Sequence, residues 1–134
     1  RPEGDIYIAG TGPPADRDPP ATDFDVDHAI FEETIWPVLA ARVPAFAAIR
    51  PGRAWAGHYD FNTLDQNAVV GRLGDVAGLY VATGFSGHGL QQAPAVGRGL
   101  AELILHGRYR TLDLSPLGYD RIVAGRPLRE ENVV

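Results

Sequence analysis

Residues 78–107 read GLYVATGFSGHGLQQAPAVGRGLAELILHG, and this stretch decides how the rest of the chain is interpreted. Its first part, residues 79–83, is mostly apolar with β-branched and aromatic members, which predicts a buried strand. The next part, residues 84–89, contains three glycines and predicts a turn whose backbone can take a positive φ. From about Leu90 apolar residues recur three and four positions apart, which predicts a helix that ends at Gly107. The apolar positions of this helix are Ala93, Val96, Leu100, Leu103 and Ile104.

A strand, a glycine turn and a helix start in succession place several unpaired N–H groups at one point. The helix dipole adds about half a positive charge there, so the place can stabilise negative charge on a ligand without a charged side chain. By itself, this pattern is as typical of a plain tight turn as of a ligand site.

The exact residues of the turn add a family resemblance. The string GFSGHG at residues 84–89, followed by Gln91, Ala93 and Pro94, closely resembles the C-terminal flavin-contacting segment of the D-amino-acid oxidase (DAO) family. That family of FAD-dependent oxidoreductases includes sarcosine oxidase and glycine oxidase. The chain looks most similar to its FAD-dependent oxidoreductase domain-containing and sarcosine oxidase-like branch. Further matching segments are residues 1–12, 43–46, 55–70 and 132–134.

The resemblance implies an α/β fold, or α+β for the isolated piece, because it covers only the C-terminal third of such a two-domain flavoprotein. Residues 1–77 would supply mostly substrate-domain strands and a helix, residues 78–107 the flavin-contacting strand, turn and helix, and residues 108–134 a C-terminal tail. The N-terminal dinucleotide-binding region, with its own glycine fingerprint, would be absent from these residues.

The same resemblance implies candidate site residues. The candidates for flavin contact are Gly84, Phe85, Ser86, Gly87, His88, Gly89, Leu90 and Gln91. The candidates for catalysis are His58, Tyr59 and Gln91, with His58 or Asp60 as an acid or base. Two alternatives remain open: His58 and Tyr59 can be structural residues, and His88 can face the flavin or cap the helix start.

Several substrate-binding residues of the relatives are replaced here. Gln91 stands where sarcosine oxidase has a carboxylate-binding lysine, and Tyr59 and Gly87 stand where glycine oxidase has arginines. A carboxylate normally calls for a cation, because a charge-assisted hydrogen bond is about twice as strong as a neutral one. A small amino-acid substrate therefore does not carry over from those relatives. The cysteine that tethers the flavin in sarcosine oxidase is also missing, since the chain has no cysteine.

The function implied by the resemblance is oxidation of a C–N bond in a secondary amine or amino acid, with hydride transfer to FAD. The complete protein would be the enzyme, with the missing N-terminal region as this chain's partner, and the chain alone would be inactive. The alternative is a flavin-binding assembly or interaction factor, like the relatives that assist respiratory complex I assembly, with little or no turnover.

Composition limits the other classes of function. The net charge of −5 argues against a nucleic-acid binder, and no apolar run approaches the roughly 18 residues needed to span a bilayer. We therefore expect a soluble protein, cytoplasmic or, in a eukaryote, of the mitochondrial matrix. The absence of methionine suggests a piece of a longer protein, and the four histidines share no metal-binding spacing.

The remaining elements are predicted from local patterns. Residues 5–9 and 54–60 are expected to be strands, and residues 67–70 a strand that returns against residues 54–60 as a hairpin. A helix from about Val26 is expected to kink or split at Pro37, because proline removes a backbone hydrogen bond.

Overall fold

The computed structural model describes residues 2–13, 18, 20–58 and 60–130. Their contacts divide the chain into two units, residues 1–58 and residues 59–134. The described part contains helices and two small antiparallel sheets, which is consistent with the α/β class. No helix in this part is long and apolar enough to cross a membrane.

The first unit begins with a small hairpin. Strands β1 (Pro2–Glu3) and β2 (Ile6–Tyr7) pair antiparallel, with Gly4 in the turn at a φ of 60°. The strand expected at residues 5–9 is thus reduced to Ile6–Tyr7. The Tyr7 ring meets the Phe46 ring edge to face, with 4.9 Å between the ring centroids.

A succession of short helical segments follows. A π-helix at Phe31–Ile35 passes directly into α1 (Trp36–Arg42), and a 3-10 helix occupies Pro44–Ala48. Pro37 is the second residue of α1, directly after the π-helix, and it has no N–H to donate to the preceding helical turn. The helix does not split at Pro37, and it changes from π to α at Trp36, the residue before it.

The prediction of a strand over residues 54–60 is wrong for residues 54–58, which form no strand and are exposed. Tyr59 lies outside the described residues. A strand requires a neighbour that accepts and donates its backbone hydrogen bonds. The expected neighbour, the segment that begins at Asn67, pairs elsewhere.

The second unit is built on a hairpin of β3 (Val69–Arg72) and β4 (Tyr80–Thr83), which pair antiparallel with Val70 opposite Ala82. The returning strand therefore pairs with the strand that leads into the glycine turn. The prediction that this last strand is buried is also wrong. Residues 69–71 are buried, whereas β4 is half-buried at Tyr80 and exposed at Thr83.

The helix predicted after the turn is confirmed as α2 (Gly89–His106). It ends at Gly107, whose φ is 70° and whose N–H donates to the Leu103 carbonyl at 2.9 Å. The buried face of α2 comprises Val96, Gly99 and Leu103, at spacings of three and four, and Ile104 is exposed. The core cluster consists of Ala68, Val70, Val96 and Leu114.

The tail that follows α2 is mostly irregular, as predicted. It contains a 3-10 helix at Ser115–Leu117 and a short helix α3 (Asp120–Val123). Leu114 and Arg121 are nevertheless buried, so the tail contributes to the interior of the second unit.

Candidate functional site

The glycine turn at residues 84–89 has the backbone conformation that its glycines predict. Gly84 and Gly87 have φ values of 71° and 92°, and Ser86 adopts 47°, which is uncommon for a residue with a side chain. The Cβ of a residue other than glycine at position 84 would lie 3.1 Å from the Cβ of Asn62. Gly84 is therefore required both for its conformation and for its close packing. Gly89 is the first residue of α2, and its φ is not positive.

Asp60 supports the first half of this turn. Its Oδ2 atom accepts hydrogen bonds from the Gly84 N–H at 2.5 Å, the Phe85 N–H at 3.3 Å and the Thr83 hydroxyl at 3.3 Å. Its backbone carbonyl accepts from the Ser86 N–H at 3.2 Å. The carboxylate that the sequence suggests as an acid or base thus binds the turn itself.

Ser86 and Asn62 hold the turn from the interior. The Ser86 side chain is fully buried, and its Oγ accepts from the Asn62 N–H at 3.0 Å and donates to the Gly84 carbonyl at 3.4 Å. The Asn62 amide Nδ2 donates to the Asn67 carbonyl at 2.6 Å and to Asp65 Oδ1 at 3.0 Å. The inward side of the turn is therefore occupied by the protein's own hydrogen bonds.

The start of α2, in contrast, has backbone N–H groups that are free to donate hydrogen bonds to a ligand. The N–H groups of Gly89, Leu90 and Gln91 have no acceptor within the part of the chain that the structure describes. His88 makes no side-chain cap, and its Nδ1 is a buried atom without a hydrogen-bond partner among the described residues. An uncapped start of an 18-residue helix is an electropositive place that favours an acceptor or an anion.

The structure places the eight candidate flavin-contacting residues, 84–91, in one continuous turn and helix start. Gln91 is exposed on the first turn of α2. His58 belongs to the first unit, is exposed, and stacks on Phe24 with 4.8 Å between the ring centroids. Tyr59 lies outside the described residues, and Gln91 belongs to the second unit.

The sequence interpretation missed a buried ion pair in the second unit. Asp65 is 2% exposed and Arg121 6% exposed. The Arg121 Nε donates to Asp65 Oδ2 at 2.9 Å, and its Nη2 donates to Asp65 Oδ1 at 3.1 Å. The run Asn62-x-x-Asp65-x-Asn67 was an available signal, because Asn and Asp side chains often bind nearby backbone in turns. Nothing local identified Arg121 as the partner.

Glu102, on α2, holds another part of the tail. Its carboxylate accepts from the Thr111 hydroxyl, from the Thr111 N–H at 3.0 Å and from the Arg110 N–H at 2.7 Å. These hydrogen bonds, led by that of the Thr111 hydroxyl, lower the pKa of Glu102 from 4.5 to about 2. No group of acidic residues and histidines suited to a metal ion occurs among the described residues.

Comparisons with known proteins agree with the resemblance of the turn. The family model described as FAD dependent oxidoreductase matches residues 1–103. The chain is 50% identical over 131 residues to FAD-dependent oxidoreductase domain-containing protein 1 of Xenopus laevis, and 47% identical over 131 residues to that of Bos taurus. It is 44% identical over 109 residues to the Drosophila melanogaster homolog. These alignments cover 98%, 98% and 81% of the chain but only 26%, 27% and 21% of the relatives. The chain thus spans about a quarter of the length of these relatives. No solved structure matches the chain significantly.

Proposed function

The chain belongs to the FAD-dependent oxidoreductase family, and we propose that it forms the part of such an enzyme that holds the isoalloxazine end of FAD. The observation that carries the proposal is the start of α2. Three successive N–H groups, of Gly89, Leu90 and Gln91, have no acceptor in the described part of the chain, beside the buried, unpartnered Nδ1 of His88.

These residues fit the flavin ring for a chemical reason. The pyrimidine end of isoalloxazine carries carbonyl oxygens and ring nitrogens, and it takes up negative charge when the ring is reduced. Backbone N–H groups at a helix start satisfy such oxygens and stabilise such a charge without bringing a counter-ion. Gly87 is exposed and has a positive φ, so its backbone is accessible to a flat ligand.

When bound, FAD supplies a hydride acceptor, and the reaction we propose is oxidation of a C–N bond in a secondary amine or an amino acid. The chain's own part is to bind and orient the ring through residues 84–91. Asp60 and Ser86 contribute by fixing the turn from within, through the hydrogen bonds described above. His58, Tyr59 and Gln91 are proposed to line the substrate side.

The proposal is tested by a pair of glycine substitutions in the complete protein. Gly87 and Gly107 both have a left-handed φ, of 92° and 70°, at opposite ends of the segment that contains α2. Gly87→Ala adds backbone strain of about 1–3 kcal/mol and a methyl group to the glycine turn. We therefore expect it to abolish or strongly reduce the flavin content of the purified protein. Gly107→Ala should cost about 1 kcal/mol of stability and leave the flavin bound. Equal flavin loss in both variants would assign the turn to general stability.

A second test uses the chain by itself. We expect residues 1–134 alone not to retain FAD, because the adenosine and pyrophosphate would be bound by the absent N-terminal region. Each factor of ten in affinity corresponds to about 1.4 kcal/mol, and most of the contacts would be missing. Material that stays yellow after dialysis would contradict this expectation.

The substrate assignment is tested by kinetics. A panel of secondary amines and amino acids, mixed without oxygen with the complete protein, should include compounds that bleach the flavin. Tyr59→Phe and Gln91→Leu should then raise KM or lower kcat for those compounds while the flavin content stays intact. A bound flavin that no compound reduces would contradict the proposed reaction.

A further inference from the structure

We propose that Arg121 is a positioning residue for the glycine turn, acting through Asp65, Asn62 and Ser86. Arg121 lies in α3, in the tail that follows the family match at residues 1–103. The inference rests on the proposed function for its consequence, which is the geometry of the flavin site. Its structural part can be tested without any flavin.

The first step is the fixation of Asp65. The Arg121 guanidinium binds both Asp65 oxygens, and the remaining Arg121 hydrogen bonds go to backbone carbonyls of residues 67, 68, 117 and 118, at 3.0–3.4 Å. Asp65 Oδ2 also accepts from the Leu128 N–H at 2.9 Å. This bidentate, buried pair sets the position of the segment that contains Asp65 relative to the tail.

The second step links Asp65 to the turn. Asp65 Oδ1 accepts from Asn62 Nδ2, and the Asn62 N–H donates to Ser86 Oγ, each at 3.0 Å. The Asn62 Cβ also faces Gly84, where an added Cβ would lie only 3.1 Å away. A displacement of Asp65 is therefore transmitted to Asn62 and from there to both Gly84 and Ser86.

The third step concerns what this arrangement holds in place. Ser86 has a φ of 47° and Gln66, next to Asp65, has a φ of 62°, and both are conformations that side-chain residues rarely adopt. Such conformations persist when the surrounding structure determines them. The hydrogen bonds of Arg121, Asp65 and Asn62 hold the turn in these conformations from its inward side. The N–H groups at the start of α2, on the outward side, then keep one orientation.

The experiment compares three variants of the complete protein. Arg121→Lys keeps the charge but loses the planar, bidentate fork. Asn62→Ala keeps the ion pair and the Asn62 N–H that donates to Ser86 Oγ, and it removes the Nδ2 hydrogen bond that links Asn62 to Asp65. Glu102→Gln is the matched control, because it loosens a different anchor of the same tail, at Arg110 and Thr111.

The first readout is backbone amide hydrogen exchange at Gly84, Phe85 and Ser86 without added flavin. These amides donate to Asp60 in the structure. Arg121→Lys and Asn62→Ala should each accelerate their exchange by about tenfold or more, and Glu102→Gln should leave it unchanged. Equal acceleration in all three variants, or none in Asn62→Ala, would overturn the inference. If Arg121→Lys fails to fold, Asn62→Ala decides the question.

The second readout is the dissociation constant of FAD and the reduction potential of the bound flavin. Both should change in Arg121→Lys and Asn62→Ala, with FAD bound about tenfold more weakly, and neither should change in Glu102→Gln. A wild-type protein that does not bind FAD would refute the proposed function, and hydrogen exchange would still decide the positioning role. If the wild-type protein binds FAD and the Asn62→Ala variant is unchanged in both readouts, the positioning role is refuted and the proposed function is not.

Discussion

The two units of the chain differ in how deeply their side chains are buried. In the second unit, Val70 and Ser86 are fully buried, and Phe85 of the glycine turn packs against the core cluster. In the first unit, none of the described residues is buried, and aromatic side chains such as Phe24 and Trp55 are largely exposed. The second unit therefore contains the buried contacts that fix its candidate site, whereas the described elements of the first unit are joined by contacts between side chains that are not buried.

This difference has a physical consequence for the short elements. Helices below about 12–15 residues are marginal in water, and most helical stability in proteins comes from packing of an apolar face. α1 has 7 residues and no buried side chain, whereas the 18-residue α2 buries Val96, Gly99 and Leu103. We expect native-state hydrogen exchange of the complete protein to show greater protection in α2 than in α1.

The largest effect should come from the buried ion pair. Arg121→Met leaves the Asp65 carboxylate buried without its partner, which typically costs about 3–5 kcal/mol. The free energy of opening measured at β3 and α2 by native-state hydrogen exchange should fall by about that amount. The control is Arg98→Met, which breaks an exposed pair with Glu102 and should cost about 0–1 kcal/mol. A small loss in Arg121→Met would show that the second unit is held by its apolar core alone.

A smaller effect is expected where α2 packs on the tail. A Cβ at Gly99 would lie 2.5 Å from the Leu114 Cδ1, so Gly99→Ala should destabilise the second unit by about 1–3 kcal/mol. Gly97→Ala is its control on the same helix, because nothing lies within 4 Å of the added Cβ. That variant should stabilise α2 by about 0.5–1 kcal/mol, the usual gain for alanine over glycine in a helix. Opposite signs for the two variants would support this packing, and a stabilising Gly99→Ala would contradict it.

The first unit should respond more weakly. The Trp36 Nε1 donates to the Phe46 carbonyl at 3.1 Å, in a half-exposed position between α1 and the 3-10 helix. Trp36→Phe removes this hydrogen bond and keeps an aromatic ring, so it should cost about 0.5–1.5 kcal/mol. Exchange protection in residues 36–48 reports the change. A loss as large as that of Arg121→Met would mean that the first unit is more cooperative than its exposure indicates.

The parts of the fold that depend on local sequence were predictable. The period of α2, its end at Gly107 and the conformation of the glycine turn all follow from residues close together in the chain. Non-local features were not predictable. The alternation of side chains suggested a strand at residues 54–60, but residues 54–58 have no pairing neighbour. The buried strand of the hairpin proved to be β3 rather than β4.

The candidate site divides in the same way. The residues that present N–H groups at the start of α2 were identified from the sequence, because a turn and a helix start are local. The inward support of the turn by Asp60 and Asn62 spans 24 residues, and the ion pair of Asp65 with Arg121 spans 56 residues. No spacing rule connects residues so far apart, so their pairing required the tertiary structure.

The smallest effect is expected from Glu102 and depends on pH. Because its pKa in the folded chain is lowered from 4.5 to about 2, the hydrogen bonds of Thr111 and Arg110 to the carboxylate stabilise the fold fully above about pH 4.5. That contribution is lost as the pH falls from about 4.5 to about 2. Glu102→Gln should therefore lower the melting temperature near neutral pH, with a difference from wild type that shrinks across this window.

Solvent screens a carboxylate at the surface, which is why we expect this effect to be the smallest. The pKa of Asp113 is also lowered, first by its hydrogen bond from the Ser115 N–H, but Asp113 is present in both proteins and its effect cancels in the comparison. Melting temperatures of wild type and Glu102→Gln measured in parallel across the window provide the test. A difference that stays constant down to about pH 2 would mean that the neutral acid holds the tail as well as the carboxylate does.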